Sequence, residues 1–187
     1  MTHIHRYAAL LPLLLPLSGP AHAAEVPLNP TLSALSAEFV QIGVPVVANF
    51  KKISGSINYD PAKPAEATAH FDIDTSSLDV GDELYNLEVR KKDWFNTSQF
   101  PKATLDATGL KPSGSNGHFT TTAKLVFKGK TKKIDIPVTV KTDILNLVFD
   151  GTVPVSRKEF SLGDPGWNEV LEDTVMVKFH VVILAPR

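Results

Sequence analysis

The side chains that could carry chemistry are few and scattered. Beyond residue 23 the histidines are His70, His118 and His180. His70 shares the polar phase of an alternating run with Asp72 and Asp74, an arrangement that could group an imidazole with carboxylates. His180 also falls on a polar phase, and His118 lies beside a loop. None of the three has the two-histidine helical spacing of a metal site, and outward histidines are ordinarily solvated. Gly129-Lys130-Thr131 has the ending of a phosphate loop. The first glycine of that motif would have to stand at Lys124, and a strand pattern follows where a helix is required. No serine sits in a Gly-x-Ser-x-Gly elbow, and Asn96-Thr97-Ser98 is formally a glycosylation sequon. The chain has no cysteine, which excludes a thiol nucleophile, a disulfide framework and thiolate-bound metal. No catalytic residue, metal site or cofactor is therefore assigned, and an enzyme is not expected.

Among the elements that must position these residues, the N-terminal stretch stands apart. His3, His5 and Arg6 precede an apolar run from Tyr7 to Leu17, closed by Ala21-His22-Ala23. This reads as a signal peptide over 1–23, too short and too proline-broken for a membrane anchor. The expectation is an exported, periplasmic protein with one domain over 24–187. Without Arg6, 18 basic residues face 20 acidic ones, so the net charge is about −2 and gives no footprint for nucleic acid.

The rest reads as strands. Leu35, Ala37 and Phe39 alternate with polar residues, with Gly43 and Pro45 interrupting. Similar runs follow at Phe50–Tyr59, Ala67–Ile73, Ala103–Ala107, Phe119–Phe127, Ile134–Val140, Leu147–Val155 and Val175–Ile183. About eight antiparallel strands with one apolar face each must cover that face or close on it, and closure into a barrel also removes the edges. Ala67, Ala69, Ala103, Ala107, Ala123 and Gly151 fall in the inward phase. Small inward residues leave room for a dry lumen, unless Phe71, Phe119, Phe127, Phe149 and Phe179 interdigitate and fill it.

One segment reads as a helix, about 82–94. Asp79, Asp82 and Glu83 stand at its start, Arg90, Lys91 and Lys92 in its last turn, and Pro101 ends the stretch. Leu84, Leu87, Lys91 and Trp94 recur at helical spacing, which predicts an apolar side continuing into Phe95 and Phe100 as a lid on one end of the barrel. The basic end either lies in water or meets lipid phosphate or an acidic partner. Arg157 and Trp167 flank a Gly163-Asp-Pro-Gly166 loop, where an indole would plug the mouth or touch a ligand head group.

Three stretches carry a family likeness: KDWFNTSQFP from Lys92 to Pro101, KLVFKGKTKKIDIPV from Lys124 to Val138, and VSRKEFSLG from Val155 to Gly163. In order and spacing the chain resembles the YceI-like family of exported lipocalin-like proteins. Phe39, Phe50 and Gly55–Asp60 resemble that family's opening, so the likeness covers nearly the whole of 24–187. It differs at Ala123, where the family often has Gly, and at Trp94-Phe95, where it has Phe-Phe. Both differences bear on pocket width.

The resemblance implies an extended eight-stranded antiparallel lipocalin-like barrel holding a long isoprenoid lipid, of polyprenyl or isoprenoid quinone type. With the inward alanines, it points to Ala69, Phe71, Leu105, Ala123, Phe127, Val138, Phe149 and Phe179 as lumen wall. It puts Trp94, Phe95, Phe100 and Trp167 at the mouth. The alternative is an accessory protein with a filled barrel that binds a membrane redox partner through its outer face or basic helix end.

Overall fold

The computed structural model describes residues 25–185; the expected signal segment lies outside them. Eleven strands form one antiparallel sheet in the order β1-β4-β5-β7-β8-β9-β10-β11-β2-β3-β6. They are β1 Val26–Pro27, β2 Ala34–Gln41, β3 Val44–Phe50, β4 Ile53–Asn58, β5 Thr68–Asp74, β6 Leu78–Asp79, β7 Lys102–Pro112, β8 His118–Phe127, β9 Lys130–Thr142, β10 Asn146–Ser156 and β11 Thr174–Leu184. The helix, α1, is Glu83–Val89.

The count exceeds the expected eight for local reasons. β1 and β6 are two-residue pieces, and Gly43 marks a hairpin turn rather than the end of a strand region. β3, which the sequence pattern does not show, accepts Pro45 because its far side pairs with β6 only at Asn49 and Phe50. The missing N–H of Pro45 thus interrupts no ladder on that side.

The sheet curls on itself. β3 and β4 are separated only by Lys51 and Lys52, yet β3 pairs with β2 and β4 with β5. The two far ends of the sheet order are thereby held next to each other. Leu28, one residue past β1, also bridges to Ile183 of β11. The β9–β10 ladder is shorter than its strands, running from Leu147↔Thr142 to Asp150↔Thr139. It stops where Pro137 has no N–H to donate and Gly151 follows. Beyond that seam, Lys128 Nζ donates to the carbonyls of Asp93 (3.0 Å) and Ser161 (2.6 Å), and Lys130 Nζ to the Glu159 carbonyl (3.1 Å). These lysines tie the β8–β9 turn to the segment after β10.

The helix is shorter than its spacing predicts, and it docks differently. Asp82 caps it, accepting from the N–H groups of Leu84 (2.8 Å) and Tyr85 (3.2 Å). It ends at Val89, after which the chain turns, with Asn96 in the left-handed region. The turn allows Trp94 and Phe95 both to be buried, whereas a continued helix would point these neighbours about 100° apart. Leu84 and Leu87 are exposed rather than core-facing. The buried helix residue is Asn86, which accepts from Val80 N–H (2.8 Å) and donates to Asp79 (3.1 Å).

Two apolar clusters pack inside the curl. One contains Ile57, Tyr59, Leu110, Phe149 and Ile183; the other contains Ala48, Leu78, Trp94, Phe95 and Phe160.

Candidate functional site

Small side chains leave space inside the curl because they stand opposite one another. Ala69 of β5 pairs with Ala107 of β7, and Ala107 with Ala123 of β8. The Ala69 and Ala107 methyl groups do not fill the distance to the facing wall of β9, β10 and β11, whereas Ala123 is covered by its neighbours.

Two adjoining chambers result. The lower, of about 140 Å³, is walled by Ala69, Phe71, Ala107, Val138, Phe149 and Phe179. That is close to the size at which an apolar protein cavity stays dry and accepts a small hydrocarbon. Tyr59 meets Phe149 edge to face beneath it, at 5.4 Å. Burial, with Asp60 adding to it, raises the Tyr59 phenol above its ordinary value, so this group stays neutral. The upper chamber, of about 400 Å³, is bounded by Trp94, Phe95, Phe127 and Trp167, with Tyr85, Glu88 and Val89 of α1 on one side. The helix thus borders the cavity as a lid would. Leu35, Ile73, Leu105, Val153 and Val177 belong to both chambers, so the apolar wall is continuous between them. Along β11 it runs from Val175 to Val181, which is about 20 Å of strand.

The upper end is held by aromatic contacts and one buried cation. Phe95 meets Phe127 at 4.9 Å and Trp94 meets Trp167 at 5.2 Å, both edge to face. Arg157 is 3 % exposed. Its guanidinium donates to the carbonyls of Leu162 (2.9 Å), Leu171 (3.1 Å), Glu172 (3.1 Å) and Trp167 (3.4 Å), and to Asn168 Oδ1 (2.9 Å). Arg157 therefore fixes the loop that carries Trp167. Burial opposes the ionised form of nearby Asp173, but hydrogen bonds from Lys158 N–H and Ser156 Oγ and the Arg157 charge outweigh it and hold this carboxyl below its ordinary range.

Of the residues expected at the site, Ala69, Phe71, Leu105, Val138, Phe149 and Phe179 line the lower chamber. Trp94, Phe95, Leu105, Phe127 and Trp167 line the upper one. Two do not line either. Ala123 is 1 % exposed and packed inside the core, because its neighbours close over it. The ring of Phe100 lies over Gly129, outside the cavity, and its carbonyl accepts from Thr75 Oγ1 at 2.7 Å.

Leu110 also lines the lower chamber although it breaks the odd-numbered phase of β7. A bulge between Thr108 and Lys111 resets the alternation there, and Gly109 at φ 71° is its sequence signal. Tyr85 was hidden by a helical pattern that favoured its leucine neighbours.

On the polar outer face histidines meet carboxylates at the surface. His70 Nδ1 lies 2.6 Å from Asp106, and Nε2 lies 3.7 Å from Asp72. Asp74 instead caps the turn at Ser76. His180 pairs with Asp150 at 2.6 Å. Among the described residues no three His, Asp or Glu side chains are placed to hold a metal.

The chain is similar to several known proteins. It is 29 % identical over 127 residues to a UPF0312 protein of Shewanella putrefaciens, an alignment spanning 63 % of this chain and 64 % of that one. It is 34 % identical over 91 residues to a UPF0312 protein of Shewanella baltica, covering 49 % and 47 %. The chain thus spans about half to just under two thirds of these relatives. Among solved structures, Burkholderia cenocepacia BcnA superposes with a TM-score of 0.80 at 37 % identity, covering 83 % of this chain and 98 % of that one. A polyisoprenoid-binding domain from Saccharophagus degradans shares the fold with a TM-score of 0.68 at 20 % identity, covering 88 % and 99 %. The YceI-like domain model matches residues 27–183, and the chain belongs to the YceI-like family.

Proposed function

We propose that this protein is a periplasmic carrier or store that holds the hydrocarbon tail of an isoprenoid lipid, of polyprenyl or quinone type, along its two chambers. The observation that carries the reading is the unbroken apolar wall, about 20 Å long and shared by both chambers through Leu105, Val153 and Val177. A compact ligand would use one chamber; a long chain would use both. Each buried CH₂ contributes about 0.8 kcal/mol, so affinity grows with chain length and needs little polar recognition. The shared fold with a domain described as polyisoprenoid-binding supports the same ligand class.

The role so assigned is binding, not catalysis. Lipid extraction and mass spectrometry of protein purified gently from its native host tests it. The expected result is a stoichiometric isoprenoid lipid; an empty cavity overturns the reading.

The alternative, docking of a redox partner through the basic helix end, has less support. Arg90 Nε is engaged by the Ser76 carbonyl (3.2 Å) and Lys91 by Glu88 (2.5 Å).

A further inference from the structure

The two elements that border the opening of the upper chamber, α1 and the β2–β3 hairpin, carry large apolar side chains that are exposed. Exposed Gly81, Asp82, Tyr85 and Glu172 line the cavity, so it reaches the surface between α1 and the β2–β3 hairpin. On the helix side Leu84 is 78 % exposed and Leu87 and Tyr85 about half exposed; at the hairpin tip Ile42 is 74 % and Val44 60 % exposed. Tyr85 and Glu88 border the cavity, which sends Leu87 to the opposite side of the helix, away from the lumen.

Ile42 is the telling residue. It and Gly43 form a two-residue turn with φ of 49° and 73°, the geometry of a type I′ hairpin, where Asn is favoured and a β-branched residue is an outlier. Neither backbone preference nor burial accounts for isoleucine at this position. The tip is also held firmly: Ile42 N–H donates to the Val170 carbonyl at 2.8 Å.

We infer that this rim docks onto a zwitterionic lipid surface, with Ile42, Val44, Leu84 and Leu87 entering the interface and Tyr85 at head-group level. The inference rests on the lipid-carrier reading: the rim is continuous with the apolar wall through Tyr85 and Val46, so a chain insoluble in water passes from bilayer to cavity without crossing solvent. Asp82 and Glu172 at the opening disfavour an anionic surface, and Glu88 there is paired with Lys91. Pro45 removes an N–H from the free edge of β3, which disfavours pairing with a strand of a second copy.

The test is flotation of the chain from Glu25 onward, which contains the whole described fold, with phosphatidylcholine vesicles at low and high salt. The wild type is expected to float at both. The variant Ile42→Asn with Leu84→Gln and Leu87→Gln is expected to lose about tenfold or more in partitioning. Ile42→Asn alone is expected to weaken flotation while keeping or raising the unfolding temperature, because Asn suits the turn; that separates docking from misfolding. Equal flotation of wild type and variants, or no flotation of the wild type, overturns the inference. So does a rim variant that only converts a dimer to a monomer, which would assign the rim to self-association. Flotation lost in the variants while wild type carries no lipid would overturn the carrier reading and leave the docking supported.

Discussion

Phe179 of β11 lies across Gly151, its direct partner on β10, so closely that a side-chain carbon on the glycine would collide with the ring and with the Pro137 carbonyl. The ring covers the point where the β9–β10 ladder ends and walls the lower chamber there. Gly151→Ala must therefore displace the ring or the strand. Overpacking of this kind costs about 1–3 kcal/mol, with a fall in unfolding temperature of about 2–4 °C per kcal/mol for a chain of this size. Thermal unfolding followed by circular dichroism measures it, and an unchanged melting temperature would contradict the placement of Phe179.

The facing pair Ala69 and Ala107 keeps the lower chamber open. Ala107→Phe is expected to fill it, so that the protein stays folded but co-purifies with shorter chains or less lipid, read by mass spectrometry. Ala123→Leu, next in the same row but sealed in the core, is expected instead to destabilise by about 1–3 kcal/mol with no such selective change in ligand length. If both variants behaved alike, the distinction between chamber and core would fail.

Arg157 holds five acceptors on the loop that carries Trp167. Arg157→Met leaves those carbonyls unpaired in a buried place and is expected to cost about 3 kcal/mol or more. The only two tryptophans of the chain, Trp94 and Trp167, touch each other there. Intrinsic fluorescence thus reports on the mouth, and the variant's emission should shift to the red before global unfolding. An unshifted spectrum would show that the loop does not depend on the guanidinium.

The acid limb of stability follows from the carboxylates. A hydrogen bond from Ser76 Oγ holds Asp74 below its ordinary range, with Ser76 N–H, Lys52 and Arg90 adding to it against burial; a hydrogen bond from His70 does the same for Asp106. The unfolded chain binds these protons at higher pH than the folded one. Their stabilisation is accordingly complete above about pH 4, the unfolded carboxylate value, and is lost as pH falls through the folded values. Urea midpoints between pH 7 and pH 3 should be flat and then drop, with a shallower drop in Asp74→Asn. Parallel curves for the two proteins would remove Asp74 from this account.

Residue alternation located β2, β5 and β7 to β11 because each has one dry and one wet face, and that pattern is written in every second residue. β3 escaped because Pro45 and an exposed Val47 erase the alternation on a strand whose far edge is mostly unpaired. The helix end escaped because Trp94 and Phe95 at helical spacing look the same whether the backbone continues or turns. Leu84 and Leu87 misled for a related reason: periodicity records that a face is apolar, not whether that face meets the core or something outside the chain.

What the sequence determined alone is the antiparallel β class, the row of inward alanines and the absence of thiol chemistry, since side-chain size and alternation act locally. Only the tertiary structure decided that Ala69 and Ala107 border open space while Ala123 does not, and that Phe100 turns away to cover Gly129. Whether a small residue makes a void or merely fits depends on what stands across from it, and those opposing atoms come from strands far away along the chain.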